Sequence, residues 1–528
     1  MPELEKPIVQ GRDARLFPGI ELELFTLDDL LVPVRRGAFV PESLPGATPS
    51  YWCVIPQCGR VWVEPTQRDG WARAAFALML VNDTENHAHQ GLATFRYQGE
   101  AVSELRFQFV QQSAPYLLAQ HFVAWGIAEL ARVATLDDEA RHRAAARAEL
   151  AQRLPCRPLD ELIAELPPRL LDGFGGPVKP EWRIQAALVR HGILYYQQVS
   201  TPYGLYPYPQ EMRFGVRSVM KSIAAPLSLL RLAQVYGPYV LDLKIGDFVA
   251  GLDPKYRRVR FIDAANMASG YGGHGSWRTQ PNDIHDGYLE GDYDGWYTAP
   301  SHAEKLAHII INSTAYPWEP GAVMRYRDQD FYLLGAAIEG FLKTRGGAQA
   351  DVWEMLEREV FAPIGIARAP AVRTLEGKGE KGVVWFNAGY YPTLDDLAKI
   401  ALLYQDLGEW NGQQLLHREL ARELLAAKDA IVKQAGASTD VDGAPRYKMG
   451  FHFTPYLGAG ARQWRYLPTM QGSGENEVVL YPNRMISLRL AKAAQLPQGE
   501  QATDSDEPTT IAAVERLEPF EPEPAMGR

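Results

Sequence analysis

At 528 residues the chain is too long for one ordinary core, and 46% hydrophobic with 22% charged residues is the balance of a folded protein of at least two domains. The formal net charge of −10 at pH 7, with no Lys/Arg run dense enough to reverse it locally, argues against a phosphate-binding surface and so against nucleic acid as a partner. No apolar stretch is long enough to cross a bilayer, and the start "MPELEKPIVQ" is charged where a secretory signal is basic and then apolar, so no membrane partner is expected. The expected location is the cytoplasm, or the periplasm for a mature chain whose signal has been removed.

The first elements read as strands. "YWCVIPQCGRVWVEP", "ARAAFALMLVND", "GLATFRYQGE" and "SELRFQFVQQ" are β-branched and aromatic runs separated by turn residues such as Asn82-Asp83 and Gly99. They predict a β-rich N-terminal domain over residues 1–112. Cys53 and Cys58 would close a small loop in an oxidising compartment or stand as two separate thiols in a reducing one, and Cys156 reads as a half-buried small residue. Residues 113–175 turn to Ala, Leu, Glu and Arg, with "DDEARHRAAARAELAQRL" an amphipathic helix opened by Asp137 and Asp138, which predicts a helical connector. The Pro- and Gly-dense "PPRLLDGFGGPVKPEW" marks the boundary that follows.

The main domain is expected over residues 176–495. It opens with "IQAALVRHGILYYQQVST", two strands around a turn at His191-Gly192, and closes with "MISLRLAKA". Helical periodicity falls between, at 221–236, 301–313, 330–344, 351–362 and 394–408. Strands at both ends with helices in the middle predict one antiparallel sheet built from the two ends, with a helical insertion. Residues 496–528 read as an acidic, Pro-rich tail in which "TTIAAVERL" is placed to dock as a last helix.

Chemistry enters at "MRFGVRSVMKSIAAPLSLL". Ser218 and Lys221 stand at i and i+3 where a helix begins, so both side chains lie on one face. By itself the pair also fits an N-cap serine followed by a solvated first-turn lysine. Its setting favours chemistry: an apolar approach with Gly215 precedes it, a buried-looking helix ending at Gly237 follows, and a lysine at such a buried start needs a partner.

Five segments in order then resemble the serine β-lactamase and penicillin-binding-protein superfamily, in its class C, family VIII esterase and nylon-oligomer hydrolase branch. "FGVRSVMKSIAAPLSLLRLAQVYGPYVLDLKIGDFV" is similar to the first motif region, and "VRFIDAANMASGYGG" to the segment after it. "EPGAVMRYRDQDFYLLGAAIEG" is similar to the second motif region, "YYPTLDDLAKIALLYQDLGEWNGQQLL" to the helix that follows, and "QGSGENEVVLYPNRMISLRLA" to the last sheet strands. The resemblance spans about residues 180–495. It implies an α/β (α+β) fold of β-lactamase-like type: an antiparallel sheet flanked by helices with a helical subdomain, here preceded by the β-rich N-terminal domain.

The resemblance also implies roles. Ser218 is the acylated nucleophile, Lys221 its partner in proton transfer, and Tyr326 the base or relay that protonates the leaving group. The oxyanion hole uses the backbone N–H of Ser218 and of Ser473, and Asp328, Tyr271, Gly472 and Gly474 fall where substrate is contacted. A free hydroxyl is a poor nucleophile, so a neighbouring base must take its proton as it attacks. A lysine of ordinary pKa, about 10.4, would need to give up about 4 kcal/mol of proton affinity to serve as that base near neutrality.

The departures from the pattern matter as much. Asp328 stands where the family usually carries Asn. A carboxylate near Lys221 is expected to hold it protonated, which favours Tyr326 as the working base and Lys221 as electrostatic support. No Lys-Thr-Gly precedes the final strands; Gln471-Gly472-Ser473-Gly474 stands there instead, with no evident cation for a β-lactam carboxylate.

Of the remaining candidates, "HGSWRTQPNDIHDGYLEGDYDGWY" (274–297) matches no zinc or calcium spacing and reads as an acidic, aromatic wall over the site. His452 reads as a packed strand histidine. The expected function is a serine hydrolase acting on a small-molecule ester, a carboxylesterase first. The alternatives are an amidase on linear or oligomeric amides, then a β-lactamase or D-peptidase, then a binding protein that keeps the fold. No metal or organic cofactor is implied, and whether the chain forms a homo-oligomer is left open.

Overall fold

The computed structural model describes residues 12–40, 49–66, 69–82, 84–112, 124–273, 293–377, 379–432, 442–493, 501–503 and 509–520. Two antiparallel sheets organise them. The first has eight strands: β1 (Leu24–Leu27), β2 (Leu30–Pro33), β3 (Cys53–Trp62), β4 (Ala72–Val81), β5 (Ala88–Gln98), β6 (Ala101–Val102), β7 (Leu105–Gln112) and β8 (Ala124–Ala128). The order across it is β1-β2-β3-β4-β5-β7-β8, with β6 hairpinned onto β5.

From Ala74 on, the run "ARAAFALMLV" of β4 is apolar and buried because both of its faces are covered. Phe76, Leu78 and Leu80 face Trp52, Val54 and Phe109 in a core of the sheet's own. Ala77, Met79 and Val81 point the other way, joining Ile55 and Ala88 in the core of the large domain. The period of two thus divides one strand between two cores.

The strand layer runs past residue 112, since β8 pairs antiparallel with β7, so the stretch expected as a helical connector opens as sheet. Its helices come later, α1 (Glu139–Ala151) and α2 (Leu159–Glu165). Helix α1 lies back on the first sheet: Ala146 packs with Phe25, Leu27, Val32 and Cys58, and Glu149 pairs with Arg36 at 2.7 Å. All three cysteines carry free thiols; Cys53 and Cys58 lie on the same strand, β3.

The second sheet has nine strands. Across it run Ile431–Val432, Arg446–Lys448, Phe451–Tyr456, Arg465–Gly472, Asn476–Leu480, Ile486–Ala491, then β10 (Arg183–Arg190), β11 (Ile193–Tyr196) and β9 (Cys156–Pro158). Its centre pairs β10 with the strand Ile486–Ala491, Ala187 standing opposite Leu488. Only β9, beside β11, is parallel. The helix Thr510–Leu517, capped by the Thr509 hydroxyl, sets Val514 against Leu188, Leu467 and Tyr481, and Phe520 follows into the same cluster.

Helix α3 (Val219–Tyr236) lies in the core and is buried around most of its circumference, so its sequence shows no polar face. Pro226 inside it has no N–H for the carbonyl of Ser222 one turn earlier. The hydroxyl of Tyr404 donates to that carbonyl at 2.8 Å, which lets the helix run through the proline until Gly237, at φ 102°, ends it. The molecule is a mixed α/β protein with antiparallel sheets and a buried helix between sheet and helical layer. Among the described residues, no helix is long and apolar enough to cross a membrane.

Candidate active site

Helix α3 starts under constraint. Arg217, the residue before Ser218, is held at φ 55°, in the left-handed region that costs a residue with a Cβ free energy and that clusters at working sites. Ser218 then enters helical geometry at φ −66°, and its side chain makes no capping hydrogen bond to the helix. A serine serving as an N-cap would bond the N–H two or three residues on. Here the half-buried hydroxyl accepts from Lys221 Nζ at 2.7 Å and is also hydrogen-bonded to Tyr326.

Lys221 is 1% exposed, and its ammonium lies against Ser218 Oγ, the carbonyl of Asn387 at 3.0 Å, Asp328 Oδ1 at 2.6 Å and the Tyr326 hydroxyl. The Tyr326 ring lies 4.9 Å below it. Burial pulls the lysine's pKa down, but the charge of Asp328, assisted by Tyr326 and by hydrogen bonds to both, outweighs it, and the net direction is up. Lys221 is therefore an ammonium at neutral pH.

Tyr326 is buried on the extended approach to the helix Asp328–Gly346. Burial raises its pKa; Lys221 pulls it back, Asp328 pushes it up again, and the net direction is up, so the group is a neutral phenol. The ring of His452 lies 6.2 Å from it, and Tyr447 meets that histidine edge-on at 5.0 Å.

Asp328 opens its helix with both oxygens engaged: Oδ1 on Lys221 and Oδ2 accepting from the Tyr293 hydroxyl at 2.6 Å. Expected as a substrate contact, it is placed as the counter-ion of Lys221. Arg327 turns away from this cluster into a buried pair with Asp330 at 2.7 Å, and it also donates to Ser313 Oγ. Arg327 therefore fixes the helix rather than the site.

Gly472, at the end of the strand Arg465–Gly472, presses on the start of α3. A Cβ there would lie 2.3 Å from the Val216 carbonyl, 3.2 Å from Ser218 N and 3.1 Å from Val219 N, so only glycine allows the approach. This strand end thus stands beside the N–H of Ser218, where an oxyanion would be held. Ser473 is the exposed first residue of the turn; its carbonyl accepts from Asn476 Nδ2 at 2.8 Å. Gly474 takes φ 88° within that turn.

Tyr271 is not brought to the cluster. Its hydroxyl donates to the Lys255 carbonyl at 2.5 Å and its ring leans on Tyr256 at 4.7 Å, which makes it a packing residue of the strand pair Tyr271–Gly273 and Ser313–Ala315. The aromatic wall expected at 274–297 lies outside the described residues up to 292. Its last residues form the helix Tyr293–Thr298, with Tyr293 stacked on Tyr297.

Two contributors escaped the sequence, the Asn387 carbonyl and Asn86, whereas Tyr293 comes from the stretch expected as an aromatic wall. Asn86 accepts from Arg217 N at 2.8 Å and donates to the Tyr390 carbonyl at 3.1 Å. A backbone carbonyl carries no residue signature, and Asn86 arrives from another sheet.

No protein-family model and no curated protein matches this sequence. Among solved structures the chain is similar to a protein described as a 6-aminohexanoate-dimer hydrolase from Bacillus anthracis, with 16% identity, a TM-score of 0.44, and coverage of 65% of this chain and 78% of that one. It is also similar to the octameric penicillin-binding protein homologue from Pyrococcus abyssi, with 17% identity, a TM-score of 0.42, and coverage of 64% and 74%. A third is a protein described as a β-lactamase from Bacteroides dorei, with 12% identity, a TM-score of 0.44, and coverage of 64% and 93%.

Proposed function

We propose that the protein is a serine hydrolase that cleaves an ester or small amide through an acyl-enzyme on Ser218. One observation carries this reading: the Ser218 hydroxyl leaves its helix uncapped and is bound instead by Lys221 and Tyr326. A structural serine at a helix start has no use for that arrangement.

The protonation states suggest how the proton moves. Lys221 is already charged and Tyr326 already carries its proton, so neither is the resting base; Asp328, in contact with Lys221, is the group with room for a proton. Lys221 first gives a proton to Asp328 Oδ1 across 2.6 Å, and the amine so formed turns its lone pair to Ser218 Oγ and takes the serine proton as Oγ bonds to the acyl carbon. The pair starts as ammonium and carboxylate and ends as ammonium and acid. The tetrahedral oxyanion is met by the Ser218 N–H beside Gly472; losing one such donor costs about 10²- to 10³-fold. On collapse, the Tyr326 hydroxyl gives its proton to the leaving group, and the proton on Asp328 returns through Lys221 to restore it. Water repeats the sequence to release the acid. Tyr326 keeps the expected role of protonating the leaving group, and in this reading the role of base passes to Asp328 through Lys221.

A carboxylesterase is the first reading. A neutral, buried phenol next to the nucleophile also suits an amine leaving group, which departs only when protonated, so an amidase is the second. Intact-protein mass after brief exposure to an activated ester, an activated anilide and a β-lactam tests both. We expect an adduct or turnover with the ester or anilide that Ser218→Ala abolishes. No adduct with any donor would reduce the protein to a binding scaffold.

A further inference from the structure

The first sheet is joined to the segment before Ser218 by Asn86. Asn86, in the connection from β4 to β5, is 1% exposed, and its side-chain amide is used from both ends. Its Oδ1 accepts from the N–H of Arg217, the left-handed residue that aims Ser218, at 2.8 Å. Its Nδ2 donates at 3.1 Å to the carbonyl of Tyr390, on the segment whose Asn387 carbonyl holds Lys221.

The fit extends to the backbone. A Cβ on Gly215 would lie 1.8 Å from the carbonyl oxygen of Asn86, so the glycine in the approach to Ser218 is what admits this connection. Asn86 is itself at φ 55°, a conformation asparagine tolerates better than most residues. The Arg217 N–H takes the amide oxygen as its acceptor, and the Tyr390 carbonyl, which also accepts from Val216 N at 3.3 Å, takes the amide nitrogen as a second donor; one carboxamide serves both in a single plane, and neither a carboxylate nor a hydrocarbon does.

We propose that Asn86 is a positioning residue for acylation, by which the N-terminal sheet sets the distance between the segment carrying Ser218 and the segment holding Lys221. The inference rests on the acyl-enzyme reading above. A left-handed residue with its N–H unsatisfied would relax toward ordinary backbone and swing Ser218 Oγ off the line between Lys221 and the acyl carbon. The sheet is then part of the catalytic apparatus and not a cover laid over it.

Burst kinetics with the activated ester test this on the full chain, because the burst amplitude counts sites that can be acylated while the rate constant reports how well each is placed. Asn86→Gly removes the amide and keeps the backbone geometry available. Asn86→Asp keeps the acceptor for Arg217 and loses the donor to Tyr390. Val81→Ala, a core truncation in the same hairpin, is the control for lost stability alone.

We expect Asn86→Gly to lower the acylation rate constant per titrated site on the order of 100-fold, the size of a small misplacement of reacting groups, with the dissociation constant of the ester before acylation unchanged. Asn86→Asp should fall between it and the wild type, and Val81→Ala should lower the melting temperature without changing the rate constant. An unchanged rate constant in Asn86→Gly, with loss confined to amplitude or melting temperature, overturns the proposal. If that variant does not fold, Asn86→Asp decides by the same criterion. A wild type acylated on Ser218 whose rate ignores both changes removes this inference alone. A wild type that is never acylated removes the hydrolase reading and this one with it.

Discussion

Lys221 and Lys305 are buried to the same depth, 1% exposed each, and are held in opposite ways. Lys221 touches a carboxylate, Asp328, at 2.6 Å, and its pKa goes up. The Lys305 ammonium has backbone carbonyls as its acceptors, those of Trp296 and Tyr297 at 2.9 Å, and aromatic faces, with the Trp385 ring 4.0 Å away. Burial therefore dominates there and drives its pKa well down, with Glu304 only partly opposing. Depth alone thus does not decide a lysine's charge; the partner does. One lysine is an electrostatic part of the nucleophile's surroundings. The other holds the end of the short helix Tyr293–Thr298, whose first residue bonds Asp328.

The largest test of this contrast removes each amine in turn. Lys221→Met should lower acylation by about 10⁴-fold, the upper end of the range for loss of acid–base function. It should also destabilise by about 3–5 kcal/mol, because Asp328 is left buried without its cation. Lys305→Met should leave acylation close to the wild type. Single-turnover kinetics with urea unfolding on both variants checks this; equal loss of rate in the two would dissolve the distinction.

Next in size is Asp328→Asn, which makes Lys221 resemble Lys305 by removing its anion. With burial no longer opposed by a carboxylate, the lysine's pKa should fall. Acylation should drop about 100-fold as the proton acceptor is lost. The residual rate should climb with pH through the neutral range as the amine deprotonates. The wild type, whose lysine stays charged there, should show no such limb. A variant profile parallel to the wild type would separate Asp328 from the charge of Lys221.

These tests rest on residues of unequal visibility in the sequence. Ser218 and Lys221 were legible because a helix places i and i+3 together, a purely local rule. Tyr326 and Asp328 were reachable through the order of segments, which also gave the antiparallel sheet joining the β10–β11 hairpin to Ile486–Ala491. The charge state of Lys221 followed from chemistry once Asp328 was noticed. The Asn387 carbonyl was not legible, because it meets Lys221 only in three dimensions and is backbone; Tyr293 was legible only as part of an aromatic stretch, not as the partner of Asp328. Tyr271 misled because its segment lies near the site in sequence order while its hydroxyl is spent on Lys255. The N-terminal sheet was visible as strands, but not that β4 feeds two cores, since a continuous apolar run gives burial without saying against what.

The smallest effect is in how stability depends on pH, and here the sign is diagnostic. For Lys305 the folded pKa lies below the ordinary lysine value near 10.5, so between the two the unfolded chain binds the extra proton. Stability from this group is then greatest at alkaline pH and is lost as pH falls through that window, by at most about 1.4 kcal/mol per pH unit. For Lys221 the folded pKa lies above 10.5, so its contribution is fully present below that value and is lost only at higher pH. Urea unfolding of the wild type and Lys305→Met from pH 7 to 10 should therefore give a stability difference that moves in favour of the wild type as pH rises. A difference that stays flat across that range would mean Lys305 keeps its proton in its aromatic surroundings. In that case the two carbonyls and the Trp385 face would suffice as a counter-charge, and a carboxylate would not be what separates the two lysines.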